Sequence, residues 1–296
     1  MAHITNGVLK LRASFTWLST SRSLSLTHGC SGLFYEKNPK SGYEKPVTVS
    51  KTQLIRSGLK QLKEEIKLWS DEWKEKLEFD PALVIQPGVT DVVFKFDTEE
   101  DMNKWVATSD QNHHEGFSSC TMSRSVNGKG LFTGDLSTRL PKDGIQKKAG
   151  YCNIRTIRPK KSFQREIYHN WYPYTHLVLR VRGDGRTYMV NLSTAGYFDM
   201  TWNDMYSFPL YTRGGPYWQI TKIPFSKFFL TSKGRVQDKQ ARVPLNRISN
   251  FGITIGDKID GPFRLELDYV GLEFDPSYTE EFAYEMYKVA PFTTGY

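Results

Sequence analysis

Between Lys51 and Phe79 the chain sets Ile55, Leu59, Leu62, Ile66, Trp69, Trp73 and Leu77 at spacings of four and three, the period that gathers side chains on one stripe of an α-helix. Lysine and glutamate fill the other positions, with Glu72 and Lys76 at a favourable i,i+4 separation. The pattern predicts an amphipathic helix of about seven turns with a seam that includes two tryptophans. Pro81 and Pro87-Gly88 separate this helix from the rest of the chain.

From Val89 to Phe274 the period changes to two. VVFKF, FSSCTMS, KGLFTG, GYCNIRTI, HLVLRVR, TYMVNLS, YWQITKI, FGITIG and FRLELDYVGLEF alternate or nearly alternate, punctuated by Gly, Pro, Asn and Asp. Many short strands with turns between them predict an all-β sandwich or jelly roll. Thr98 to Trp105 reads as one short helical turn capped by Thr98 with acids in its first turn. Gly183-Asp184-Gly185, between two strand-like runs, predicts a hairpin turn, so Arg182-Gly183-Asp184 is turn chemistry rather than an adhesion signal. In the last strand Leu265, Leu267 and Tyr269 are expected to face the core, with Arg264, Glu266 and Asp268 opposite. The expected segments are 1–35 as a presequence, 36–88 as linker and helix, 89–276 as the sandwich and 277–296 as a tail.

Composition narrows the setting. The 296 residues are 39% hydrophobic and 14% aromatic, enough apolar surface for one sizeable core. Cys30, Cys120 and Cys152 are too few and scattered for a disulfide framework, and no CxxC pair offers zinc a site. No run approaches the ~20 apolar residues of a membrane span, which predicts a soluble or peripheral protein. The first acid is Glu36; before it stand Lys10, Arg12 and Arg22 among many hydroxyl residues, with Phe15, Trp17 and Leu18. A basic, hydroxyl-rich and acid-free start predicts a mitochondrial transit peptide. Its loss takes the formal charge from +8 to +5, suited to an anionic membrane surface or an acidic partner and lacking the basic stripe of a nucleic-acid binder.

Candidate chemistry is sparse. His113-His114-Glu115 lacks further ligands at a helical or hairpin spacing, and nothing in the spacing brings Cys120 or Cys152 to His169 or His176. Phosphate-binding and nucleophile-elbow motifs are missing. Glu266 and Asp268 sit about 7 Å apart on one strand face, between the separations of retaining and inverting glycosidases, but both project from one strand beside Arg264. A surface ion network is the simpler reading. What remains is aromatic surface: His169 to His176 and Phe198 to Trp218 hold more Trp and Tyr than two strands need. No cofactor is expected.

FGITIGDKIDGPFRLELDYVGL, HLVLRVRGDGRTYMVNL, the tryptophan-containing TEEDMNKW and GKGLFTGDLST together resemble the complex I intermediate-associated family, assembly factors of mitochondrial NADH:ubiquinone oxidoreductase. The resemblance runs from about Val89 to Phe274 and includes the preceding helix. It implies a galactose-binding-like β-sandwich, related to carbohydrate-binding modules, and a non-enzymatic role at the matrix face of the inner membrane. There the chain would join other assembly proteins, stabilise a membrane-arm intermediate and leave the finished enzyme. Fold relatives sometimes hold a structural calcium with acids near the last strand, where this chain has Glu266 and Asp268 without a complete ligand set.

Two roles from different classes are open to such a chain. An assembly chaperone would bind partners through exposed apolar groups, and Ile55, Leu59, Leu62, Ile66, Trp69, Trp73, Trp171, Tyr172 and Trp202 are the candidates. A carbohydrate-binding module would need a concave face with aromatic platforms and a few convergent polar groups. Glycan titration separates them. The presequence favours the first.

Overall fold

The computed structural model describes residues 50–78, 85–142, 144, 146–158, 160–194, 204–232 and 234–284. The expected presequence, Trp202 and residues 285–296 lie outside these ranges.

The described chain opens with helix α1 (Lys51–Leu77) and continues as strands β1 (Thr90–Lys95), β2 (Trp105–Ser109), β3 (Ser119–Arg124), β4 (Gly130–Leu136) and β5 (Cys152–Thr156). A two-strand clip of β6 (Lys160–Lys161) and β7 (Arg165–Glu166) comes next, then β8 (His176–Arg182), β9 (Thr187–Thr194), β10 (Asp204–Tyr211) and β11 (Gln219–Pro224). The last strands are β12 (Phe229–Ser232), β13 (Arg235–Val236), β14 (Ile248–Ile255) and β15 (Gly261–Glu273). A single helical turn, α2 (Glu99–Asn103), joins β1 to β2; Thr98 accepts from the Asp101 amide at 3.2 Å and Asp101 accepts from the Thr98 amide at 3.3 Å.

The strands form two antiparallel sheets, the all-β sandwich that period-two patterning predicts. One sheet runs β11-β8-β15-β4-β3; the other runs β13-β12-β10-β9-β14-β5-β2. The 13-residue β15 is shared lengthwise. Its first half pairs with β4, from Gly261↔Leu136 to Leu267↔Gly130, and its second half with β1, from Tyr269↔Lys95 to Glu273↔Thr90. Alternating positions meet between the sheets: Leu177, Leu179 and Val181 of β8, Tyr188, Val190 and Leu192 of β9, and Phe251, Ile253 and Ile255 of β14 are fully buried. Trp105 packs edge to face on both Phe94 and Phe251, which stack on each other, at one end of this core.

Three sequence expectations change here. The runs flanking Gly183-Asp184-Gly185 do not pair as a hairpin: β8 lies in one sheet and β9 in the other. The tripeptide is the corner where the chain crosses the sandwich, and hairpin and corner need the same residues. A Cβ on Gly183 would stand 2.3 Å from the Thr212 side chain, and Gly185 has φ +94. Asp184 fixes the corner by accepting from the Arg186 amide at 3.1 Å and the Arg264 amide at 2.7 Å. Second, Tyr269 does not share the inward face of Leu265 and Leu267. The pairing of β15 with β8 shifts register between Leu267 and Tyr269, so Val270 and Leu272 resume the inward row and Tyr269 is only half-buried. Third, Asp204 to Tyr211, within the second aromatic cluster, is an interior strand. Its proline is tolerated because β12 pairs only Asp204 to Ser207, leaving β10 single-sided at Pro209.

The described residues after β15, up to 284, fold back onto the sandwich. Tyr278 shares a 2.6 Å hydrogen bond with Ser226, and the Ala283 amide donates to the Ser226 carbonyl at 3.1 Å.

Candidate interaction surface

Helix α1 starts at Ser50, whose hydroxyl accepts from the Gln53 amide while the Gln53 side chain accepts from the Ser50 amide. Such reciprocal capping sets where the helix begins and leaves its packing to the side chains. The side chains that hold it to the sandwich are charged. Glu65 accepts from the Phe163 amide at 2.6 Å, and Glu72 accepts from the Ser162 amide at 2.6 Å and pairs with Arg165. Glu65 and Glu72 are two turns apart on one flank of the stripe, with Gly58 buried one step further round. The Ser162 amide holds the Glu72 carboxyl below its ordinary range, against a smaller push upward from burial.

Because that flank makes the contact, the apolar stripe faces solvent. Ile55, Leu59, Ile66, Trp69, Trp73 and Leu77 are exposed, with Trp69 at 45% and Trp73 at 48%; Leu62 is half-buried. The two indoles meet edge to face with centroids 6.0 Å apart, and the Lys76 ammonium lies 5.0 Å from the Trp73 ring. This is a large contiguous apolar surface rather than scattered single residues.

The other aromatic candidates divide. Trp171 is 3% exposed and packs 6.0 Å from Phe225 and from His169, so its indole belongs to the core and offers no surface to a partner. Tyr172, one residue on, is exposed and lines a cavity of about 460 Å³ with Tyr174, Phe225, Arg242 and Tyr278. Trp202 falls outside the described residues. Trp218 has the guanidinium groups of Arg180 and Arg182 over its ring at 5.5 and 5.2 Å.

The carboxylates that most resemble a catalytic pair are neutralised in place. Glu266 is bound by Arg182 at 2.5 Å and Arg264 at 2.6 Å; Asp268 is bound by Arg180 and by Lys129 at 2.7 Å. Burial pushes the Glu266 carboxyl up, and the hydrogen bonds and charges of Arg264 and Arg182 bring it below its ordinary range. The ion network that Arg264 suggests is present, but its carboxylates are buried. His113 and His114 sit in a polar turn, and no group of three or more His, Cys, Asp or Glu with metal-binding geometry occurs among the described residues. Cys120 and Cys152 do come together: Cys120 donates to the Thr108 carbonyl at 3.3 Å, and its contact together with burial pushes the Cys152 thiol up. A thiol so shifted is a poor nucleophile at neutral pH. No described helix is long and apolar enough to cross a membrane.

Sequence reasoning found the stripe but missed the face that anchors it. Glu65 and Glu72 look like any solvated acids in a helix, and only Phe163 for the one and Ser162 with Arg165 for the other, 90 or more positions later, give them work.

A solved Family 11 carbohydrate-binding module from Clostridium thermocellum aligns with 64% of this chain and 96% of its own, at 14% identity and a TM-score of 0.45. The family model for complex I intermediate-associated protein 30 matches residues 94–267. Drosophila melanogaster has a relative named complex I intermediate-associated protein 30, mitochondrial, 57% identical over 258 residues, which cover 86% of this chain and 87% of the relative. The mouse protein of the same name is 46% identical over 195 residues, 66% of this chain and 59% of the relative; a Caenorhabditis elegans relative is 45% identical over 204 residues, 60% of its length. With a sandwich running from β1 to β15 and a family match over its greater part, this chain belongs to the complex I intermediate-associated protein 30 family.

Proposed function

We propose that this chain is a mitochondrial assembly factor for respiratory complex I, acting without catalysis to stabilise a membrane-arm intermediate at the matrix face of the inner membrane. Family membership over residues 94–267 carries the reading. The names of its relatives associate them with complex I intermediates and with mitochondria. The structure supports a scaffold rather than an enzyme in one specific way: the carboxylates best placed for chemistry, Glu266 and Asp268, are each clamped by two cations. The exposed stripe of α1 supplies what a scaffold needs, a surface unused by its own fold. Its binding partners are other assembly proteins and the intermediate itself, with peripheral contact to the membrane.

Removing this chain from its host and resolving mitochondrial complexes on native gels tests the reading. Complex I should fall while partial membrane-arm assemblies shift in abundance, and re-expression of the full chain should restore both. Complex I at its normal level in the depleted cells would sink the proposal.

A further inference from the structure

We infer that α1, together with the clip at its side, is a membrane-surface anchor that lays its tryptophan stripe into a bilayer bearing anionic phospholipid. The inference deepens the peripheral part of the function proposed above and rests on it. At about 100° per residue, Ile55, Leu59, Leu62, Ile66, Trp69, Trp73 and Leu77 span a narrow stripe. Arg56, Lys60, Lys63, Lys67 and Lys74 all fall in a strip about 80–140° round from its centre, and all are exposed. Lys74 contacts Asp71 at 3.4 Å, itself exposed. The helix's acids are elsewhere. Glu65 and Glu72 are turned to the sandwich, and Glu64, Asp71 and Glu75 lie on the side opposite the stripe.

The other border of the stripe carries cations and an aromatic ring as well, with a single exposed acid, Glu166, that Arg158 binds at 2.6 Å. The clip whose amides hold Glu65 and Glu72 exposes Lys160, Lys161 and Phe163. Phe163 has φ 57, a conformation a bulky side chain rarely adopts, and its amide is fixed by Glu65. Strain of that kind persists where surrounding contacts over-determine it, and here it keeps a phenylalanine beside the helix at the surface.

An apolar stripe with tryptophans and basic residues along its borders matches the chemistry of an interface: rings at the acyl boundary, ammonium groups at headgroup phosphates. A protein groove would fit the stripe alone. It gives no reason for exposed lysines on both sides of the stripe while the helix's own acids are tied to the clip or face the opposite side. Membrane contact is the occupant that uses every part of the surface.

Flotation of the purified full chain with phosphatidylcholine vesicles, and with vesicles mixing phosphatidylcholine and phosphatidylglycerol, decides it. Binding is expected to the mixed vesicles, weakening as salt rises, and at least roughly tenfold less to the neutral ones. Lys60→Glu with Lys63→Glu and Lys67→Glu should weaken binding on the order of a hundredfold, since each cation at an anionic surface contributes about fivefold. Trp69→Ala with Trp73→Ala should abolish it. All five positions are exposed, so melting temperatures should not move. Failure of the wild-type chain to float with mixed vesicles would overturn the inference, as would equal flotation with both kinds or indifference to either set of substitutions. Failed flotation combined with loss of assembly proteins from a Trp69→Ala, Trp73→Ala pull-down would assign the stripe to a protein groove instead. A depletion that lowers complex I while flotation fails removes the anchor and leaves the assembly role standing.

Discussion

At the scale of single residues, stability concentrates in buried polar groups whose importance the sequence hides. Asp110 is fully buried and accepts from the Ser118 amide at 2.8 Å, the Ser118 hydroxyl at 3.2 Å and the Gly150 amide at 2.8 Å, tying three loops together. Asp110→Ala strands buried donors and is expected to cost about 3 kcal/mol, read as a fall in the denaturant midpoint. Gly116→Ala should act on the same knot, because its new Cβ would stand 2.0 Å from an Asp110 oxygen. Glu266 gives a pH signature. Folding lowers its pKa from the ordinary 4.5, so the unfolded chain takes up this proton first as pH falls. The stabilisation is complete above 4.5 and is lost as pH drops through the lower, folded value. Glu266→Gln should flatten the acid limb of melting temperature against pH, and Glu266→Ala should cost about 2 kcal/mol, less than a fully buried pair because Arg264 is exposed. The role of Asp110 was not legible beforehand, and for Glu266 the sequence suggested the ion network but not its burial. An aspartate in a turn and a glutamate alternating out of a strand are ordinary positions until distant segments close over them.

At the scale of elements, period was the reliable signal and partnership was not. The helix stripe, the Thr98-capped turn and nine strand-like runs could be read from spacing because burial enforces period two or 3.6 on each element separately. Which strand pairs with which is decided by sequence-distant contacts, and so β8 and β9 looked like a hairpin while lying in opposite sheets. Aromatic richness did not say which rings are core: at β10 Tyr206 and Leu210 are buried while neighbouring Tyr211 is exposed. The candidate site was half legible. Composition alone could not tell Trp171 from Trp69. Their contrast is testable: Trp171→Ala, emptying a packed position, should cost ~3–5 kcal/mol, whereas Trp69→Ala with Trp73→Ala should leave the melting temperature of the sandwich within a degree or two. A matching fall for both variants would mean the stripe packs on its own domain in solution.

At the scale of the whole molecule, the sandwich is a rigid body with an outrigger. The carboxylates of Glu65 and Glu72 tie the helix to one clip, so Glu72→Ala with Glu65→Ala should loosen it without melting the sheets. Limited proteolysis should then cut first between the helix and β1, leaving a resistant fragment that starts near Val89. A fusion of residues 1–40 to a fluorescent protein should enter mitochondria; cytosolic fluorescence would remove the expected presequence. The lengthwise sharing of β15 has one more consequence, for the order in which the protein can become itself. Among the described strands, one close to the C-terminal end is the sole lateral partner of β1 and the bridge between the β3–β4 and β8–β11 pairs. Until it arrives, a chain emerging N-terminus first has one sheet in three disconnected pieces, with its tryptophan helix already out. A chain ending at Ile259 should therefore be rapidly degraded rather than partly active. The molecule behaves like a garment closed by its last button, and the long wait for that closure, with an apolar helix showing throughout, should make the folding chain dependent on chaperones.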